Sequence, residues 1–97
     1  MLIQDIFIKC LNKWGLESQV LMLAEEASEL SCAALGFLRK NKEGDSLSHL
    51  AEEIADVELM VEEIKFYLNP LSLGTRVEIW RSKKLERLEE RLNDFKI

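Results

Sequence analysis

The sequence predicts an all-α protein, a four-helix bundle-like fold built around an antiparallel central hairpin. Apolar residues recur every three or four positions in four segments, which is the spacing of amphipathic helices. Polar and apolar residues never alternate at period two over a stretch long enough for a convincing strand. With 97 residues, the chain is predicted to form one domain, 1–97.

The first two helices are predicted over residues 2–14 and 17–40. Seven apolar residues in the first segment follow helical spacing, and Gly15 ends that helix. In the second segment one stripe carries Val20, Leu23, Ala24, Ala27, Leu30, Ala34, Phe37 and Leu38. The polar run KNKEGD at residues 40–45 is predicted to be a short turn, so the next helix returns antiparallel.

The third helix is predicted over residues 47–68, with Asp45 or Ser46 as its cap. Its stripe carries Leu47, Leu50, Ile54, Val57, Val61, Ile64 and Leu68. Asn69 and Pro70 end it, because proline cannot continue a helix. The last helix is predicted over roughly 75–95, with Val77, Trp80, Leu85, Leu88, Leu92 and Phe95 as its apolar residues.

Size and composition narrow the possible partners. A chain this short buries only about 60–65% of its unfolded surface, so we expect a homodimer or homotetramer to complete the bundle. The net charge of −5 argues against binding a nucleic acid polymer, which requires a basic face. No apolar run is long enough for a membrane helix, and the first residues lack a signal-peptide pattern. We therefore expect a cytoplasmic protein with no membrane partner, and free, buried thiols at Cys10 and Cys32.

An acidic motif occurs twice. LAEEASEL at residues 23–30 returns as LAEEIADV at residues 50–57. At about 100° per residue, Glu26 and Glu29 lie about 100° and 160° from Ala27, on one side of its stripe. Glu53 and Asp56 stand at the same angles from Ile54, so the two pairs are able to meet at one edge of the hairpin.

The ordinary explanation of such acids is a solvated face with lysines four residues away. That explanation fails here, because residues 17–38 hold four glutamates and residues 47–64 hold six acids, and neither range contains lysine or arginine. Four converging carboxylates would repel by about 4 kcal/mol for each pair about 4 Å apart at an effective dielectric near 20. Three outcomes stay open: proton uptake, a bound hard cation such as Mg²⁺ or Mn²⁺, or a splayed, solvated acidic face. A di-iron site needs Glu-x-x-His on two helices, and the chain has one histidine.

Successive helices carry two acidic clusters, Glu25-Glu26-Ala27-Ser28-Glu29 and Glu52-Glu53-Ile54-Ala55-Asp56. This pair of motifs resembles the one found in the all-α nucleoside triphosphate pyrophosphohydrolases. That superfamily includes MazG, dimeric dUTPase, dCTP pyrophosphatase and phosphoribosyl-ATP pyrophosphohydrolase. The stretch WGLESQVLMLAEEASEL and the basic RSKKLERLEERL are similar to its other segments. The resemblance covers about residues 14–92.

The resemblance implies Mg²⁺-dependent hydrolysis of a nucleoside triphosphate to the monophosphate and pyrophosphate. By position, Glu26, Glu29, Glu53 and Asp56 would be metal ligands. Glu25 and Glu52 would support the ligands or orient water. Lys84 and Arg87 match the family's phosphate-binding positions, whereas Ser82 stands where the family often has asparagine, which leaves substrate choice open.

Several of these residues have a second interpretation. Lys84 and Arg87 could be surface cations paired with Glu86 and Glu90. Trp14 and Trp80 could stack on a base or belong to the core. Gln19 could contact a base or be exposed, and His49 could be an exposed or capping residue.

Two classes of function follow. The first is a nucleotide pyrophosphohydrolase that removes non-standard or surplus nucleotides; its base and sugar are not set by the sequence. The alternative is a non-catalytic helical assembly protein that uses the acidic edge to bind partners.

Overall fold

The structure, a computed structural model, describes residues 1–40 and 44–94. Within these ranges it contains four α-helices and no strand, which confirms the all-α prediction. The helices are α1 (Ile3–Trp14), α2 (Leu16–Arg39), α3 (Gly44–Tyr67) and α4 (Leu73–Asn93), with a 3₁₀ turn at Asn69–Leu71.

The chain divides into two compact units, Met1–Tyr67 and a second that begins at Leu68. The single-domain assignment stays a prediction. None of the described helices combines the length and hydropathy that a bilayer-spanning segment requires.

The helix ends agree with the sequence in part. Gly15 ends α1 at a φ of 83°, a conformation open to glycine, and its N–H donates to the Leu11 carbonyl at 2.8 Å. Helix α3 already begins at Gly44, so Asp45 and Ser46 lie inside its first turn and the capping prediction is wrong. The middle of the predicted turn, 41–43, and Phe95 lie outside the described residues.

Helices α2 and α3 run antiparallel, as predicted. The end of α2 around Gly36 and Phe37 lines a hollow together with Ser46 and His49 at the start of α3. Farther from the connection, Glu26 lies beside Asp56. Residues early in one helix therefore neighbour residues late in the other.

The two helices face each other along a seven-residue repeat, which we call the seam. It consists of Gln19, Glu26 and Ala33 on α2 and of Ser46, Glu53 and Met60 on α3. All of these are buried except Glu26, which is half-buried. A strict seven-residue repeat keeps the same line of each helix against its partner. The innermost line of the hairpin is thus largely polar, and half-buried apolar residues such as Leu30 and Val57 lie beside it.

The predicted centres of the apolar stripes are wrong as a result. Ala27 is exposed and Ile54 is 40% exposed, whereas Glu53 is only 6% exposed. On both helices the stripe residue follows the seam residue by one position, a turn of about 100°. In an antiparallel pair, side chains that are rotated by the same angle from the line joining the two helix axes lie on the same side of the pair. That side, the apolar side, carries Val20, Ala27, Ala34, Leu47, Ile54 and Val61.

Helix α1 packs at the end of the hairpin where α3 finishes. Phe7 is buried and its ring centre lies 5.9 Å from that of Phe66 and 6.5 Å from that of Tyr67. The Tyr67 hydroxyl donates to the Phe7 carbonyl at 2.6 Å. Aromatic contacts and one long-range hydrogen bond therefore hold α1 on the hairpin.

Two further expectations are corrected: the burial of the two thiols and the core interpretation of the two tryptophans. Cys10 and Cys32 are free thiols as expected, but Cys10 is half-buried and Cys32 is exposed, because it precedes the seam residue Ala33 and so turns away from α3. Trp14 and Trp80 are 53% and 51% exposed, so neither belongs to a core. Helix α4 has no buried residue, and Trp80 stacks there with Lys83 and Arg87, whose charged groups lie 5.0 and 6.0 Å from its ring centre.

Candidate metal centre

The middle of the hairpin brings carboxylates from both helices together. Glu26 and Glu53 are seam residues on facing helices, and Asp56 lies one turn after Glu53. One oxygen from each of these three side chains lies within 4.8 Å of the others. Three of the four predicted metal ligands therefore meet in one place.

The fourth predicted ligand lies beside this group. Glu29 is exposed, and its charge is the largest Coulombic influence on both Glu26 and Glu53. It stands one turn after Glu26 on the edge of the seam, at the same offset that Asp56 has from Glu53.

Burial and like charges act together on the two seam carboxylates. Desolvation, followed by the charges of Glu29, Asp56 and Glu53, raises the pKa of Glu26 above its ordinary value of 4.5. Desolvation, followed by Glu29 and Asp56, raises the pKa of Glu53, and the neighbouring His49 opposes that rise. The cluster consequently favours a proton or a cation among its oxygens.

Two oxygen atoms of the cluster are buried without a hydrogen-bond partner among the described residues. They are Oε2 of Glu26 and Oε2 of Glu53. A buried carboxylate oxygen normally accepts at least one hydrogen bond, because its desolvation is otherwise uncompensated. The donor set is purely oxygen, which suits Mg²⁺ or Mn²⁺.

The predicted supporting acids are placed differently from each other. Glu52 belongs to a second group, in which its carboxylate, Glu53 and His49 each offer an atom within 4.8 Å. Glu25 is exposed and lies in neither group. His49 is exposed, which agrees with one of its two interpretations, and its place next to Glu53 gives the cluster one neighbour that can carry positive charge.

A small hollow lies at the start of α2. It has a volume of about 240 Å³ and is lined by Trp14, Ser18, Gln19 and Met22. Gln19 is only 5% exposed, so the interpretation of an exposed glutamine is wrong. Met22 precedes Glu26 by one turn, which places the hollow along the helix from the carboxylates.

The two predicted phosphate-binding cations belong to the second compact unit. Lys84 and Arg87 are exposed on α4, and Arg87 lies over Trp80. Their contact with a substrate stays a prediction.

Sequence reasoning missed one buried acid. Glu63 is 5% exposed and has an unpartnered Oε2 among the described residues. Burial, and then the neighbouring Glu63 carboxylate, raise the pKa of Tyr67 well above its usual value. The spacing gave no signal of this burial, because His49 and Asp56, seven residues apart in the same series, are exposed and half-buried.

Comparisons of the chain with models of known families, with curated proteins and with solved structures found no match.

Proposed function

We propose that the hairpin binds a divalent cation and hydrolyses a nucleoside triphosphate to the monophosphate and pyrophosphate, as a nucleotide-pool enzyme. The observation that carries this proposal is a pair of buried oxygens, on Glu26 and Glu53, that have no hydrogen-bond partner within residues 1–40 and 44–94 and that lie beside Asp56. The raised pKa values of Glu26 and Glu53 also support a bound cation, because they indicate a site that favours added positive charge.

The fit of the residues to the ion rests on chemistry and position. Glu26, Glu53 and Asp56 offer hard oxygen ligands from two helices, and Glu29 is the candidate fourth ligand. Bound Mg²⁺ would neutralise phosphate charge and stabilise the charge that develops during displacement at phosphorus.

The chain's own groups supply the remaining functions. Glu52 is the stronger candidate to accept a proton, since it lies in the group with Glu53 and His49, whereas Glu25 lies outside both groups. The hollow at Trp14 and Gln19 offers a half-exposed aromatic ring and a buried amide. Such a pair can stack on a nucleobase and hydrogen-bond to its edge. For Lys84 and Arg87, the phosphate-binding role implied by the resemblance stays a prediction.

The test is a panel of ribo- and deoxyribonucleoside triphosphates with Mg²⁺ or Mn²⁺, with the products separated. We expect monophosphate and pyrophosphate, and a loss of at least about 100-fold in the rate for Glu53→Gln. Glu58→Gln is the matched control, because Glu58 is an exposed acid of the same helix outside both groups. Diphosphate and phosphate as products, or equal rates for the two variants, would reject the proposal.

The alternative, a non-catalytic assembly protein, has an observation in its favour. The apolar side exposes Leu47 and Ile54 in a way typical of interaction surfaces. No hydrolysis of any nucleotide, with normal folding and no response to divalent ions, would favour this alternative.

A further inference from the structure

One imidazole lies beside the carboxylate cluster. His49, Glu52 and Glu53 each offer a ligand atom, and these three atoms lie within 4.8 Å of one another. The second residue follows the first by three positions on α3 and the third follows it by four, so all three share one face of that helix. Because Glu53 also belongs to the group with Glu26 and Asp56, the two neighbouring groups share one carboxylate.

The burial of the shared carboxylate is an independent sign of a ligand. Glu53 is only 6% exposed, and its Oε2 accepts no hydrogen bond from any of the described residues. Side chains four residues apart on a helix are close enough to bond directly, yet the imidazole of His49 does not donate to this oxygen. Buried carboxylate oxygens normally have a partner, so the described residues leave one place for a bound group.

We propose that His49, Glu52 and Glu53 form a second cation site, which prefers Zn²⁺ to Mg²⁺. Imidazole nitrogen is a ligand that zinc and other late first-row metal ions favour, whereas Mg²⁺ is bound mainly by oxygen. The group of Glu26, Glu53 and Asp56 offers oxygen alone. The two groups therefore differ in the ion that each one suits.

The geometry of the three side chains requires only a small adjustment to hold zinc. Ligand atoms about 2.1 Å from a tetrahedral zinc ion lie about 3.4 Å apart. His49 and Glu52 are exposed, so both side chains can rotate toward the buried Glu53. Three protein ligands leave the fourth tetrahedral position to water.

Zinc in this site acts against the proposed enzyme. It holds Glu52, the candidate proton acceptor, and takes an oxygen of Glu53, a candidate Mg²⁺ ligand. Zn²⁺ should therefore inhibit hydrolysis that Mg²⁺ supports. This inhibition rests on the proposed function, whereas the binding of zinc does not.

Isothermal titration calorimetry of the nucleotide-free chain with Zn²⁺, in the absence of Mg²⁺, measures the binding. His49→Ala should weaken the affinity for zinc by at least about 10-fold, because it removes a ligand. Cys32→Ser is the matched control, since Cys32 lines the same hollow as His49 but belongs to neither group, and it should bind zinc as the wild type does. His49→Cys should keep most of the affinity, because a thiolate also binds zinc.

Two further measurements separate a ligand from a structural role. Circular dichroism should show the same helix content in all variants, because His49 and Cys32 are exposed. His49 is the single histidine of the chain, so its imidazole resonances are assigned without ambiguity. They should shift with equimolar Zn²⁺ and stay in place with equimolar Mg²⁺. Equal zinc affinity in the wild type and His49→Ala, or imidazole resonances unchanged by zinc, would overturn the inference.

Hydrolysis in Mg²⁺ with increasing Zn²⁺ tests the inhibition. Each variant is compared with its own rate without zinc, and His49→Ala should require at least about 10-fold more Zn²⁺ for the same inhibition. Equal sensitivity of the wild type and His49→Ala would overturn the antagonism between the two sites. A chain that binds zinc through His49 but hydrolyses no nucleotide would support the zinc site and reject the proposed function.

Discussion

The middle and the open end of the α2–α3 hairpin are packed with opposite chemistry. In the middle, Glu26 and Glu53 face each other with buried oxygens that lack hydrogen-bond partners among the described residues. At the open end, Phe7 packs on Phe66 and Tyr67, and Ile64 is buried nearby. The facing carboxylates in the middle oppose folding, whereas the aromatic contacts of Phe7 at the open end favour it.

This difference indicates which region carries function. Packed aromatic and aliphatic groups stabilise the open end, where the buried Glu63 beside Tyr67 is the exception. Facing carboxylates without a compensating charge destabilise a small helical unit, and such clusters of perturbed acids are typical of functional sites. The comparison predicts that changes at the two regions affect different measurements.

The largest expected effect on stability is at the open end. Phe7→Ala should lower the free energy of unfolding by about 3–5 kcal/mol, because it removes a buried ring and leaves a cavity. Urea unfolding followed by circular dichroism measures this loss. Ile8→Ala on the same helix is the control. Ile8 is 45% exposed, and its replacement should cost less than about 1 kcal/mol. Equal losses in the two variants would show that α1 is not anchored by Phe7.

The helices themselves were predictable from local signals. Gly15 and Pro70 interrupt an otherwise continuous helical spacing, and the duplicated acidic motif correctly marks the two central helices. These signals act over a few residues, so no knowledge of tertiary packing was required.

The packed face was not predictable in the same way. The apolar stripe through Ala27 and Ile54 and the seam through Glu26 and Glu53 differ by one position, about 100° of helix rotation. The sequence periodicity favours the stripe, because the face with the highest average hydropathy is taken as the packed face. The seam carries the smaller residues Ala33 and Ser46 near the connection, and small side chains allow two helices to approach closely. Which of two faces a helix buries depends on the helix it packs against. The periodicity of a single helix does not contain that information.

The second expected effect is at the middle of the hairpin. At a Mg²⁺ concentration about 100 times the dissociation constant, binding should stabilise the fold by about 2.7 kcal/mol, or about 10–20 °C in melting temperature. Differential scanning fluorimetry with and without Mg²⁺ or Mn²⁺ measures the shift.

Two variants separate the regions in that measurement. Glu53→Gln should lose most of the shift, because it removes a buried ligand oxygen. Phe7→Ala should melt at a lower temperature yet keep the full shift, because the carboxylates are unchanged. A wild-type protein that does not respond to either ion at millimolar concentration would leave the middle of the hairpin without its proposed cation.

The smallest expected effect is a change of stability with pH in the absence of divalent ions. Desolvation and the neighbouring acids raise the folded-state pKa of Glu26 and Glu53 above 4.5. The folded state then binds more protons than the unfolded state between 4.5 and the raised values. Stability should therefore fall as pH rises through that window, the reverse of a carboxylate held in an ion pair. Because Glu26 is only half-buried, solvent screening limits the size of this change.

Urea unfolding at several pH values between 4.5 and 7.5, in the presence of EDTA, measures this dependence. Glu53→Gln should flatten the curve, since glutamine does not titrate and removes one charge that acts on Glu26. Glu58→Gln should leave it unchanged, because Glu58 is exposed and outside both carboxylate groups. Saturating Mg²⁺ should also flatten the wild-type curve, because a cation among the oxygens replaces the protons that the folded state otherwise takes up. A wild-type curve that rises through the window would mean that the carboxylates already have a positive partner, and the contrast between the middle and the open end would then disappear.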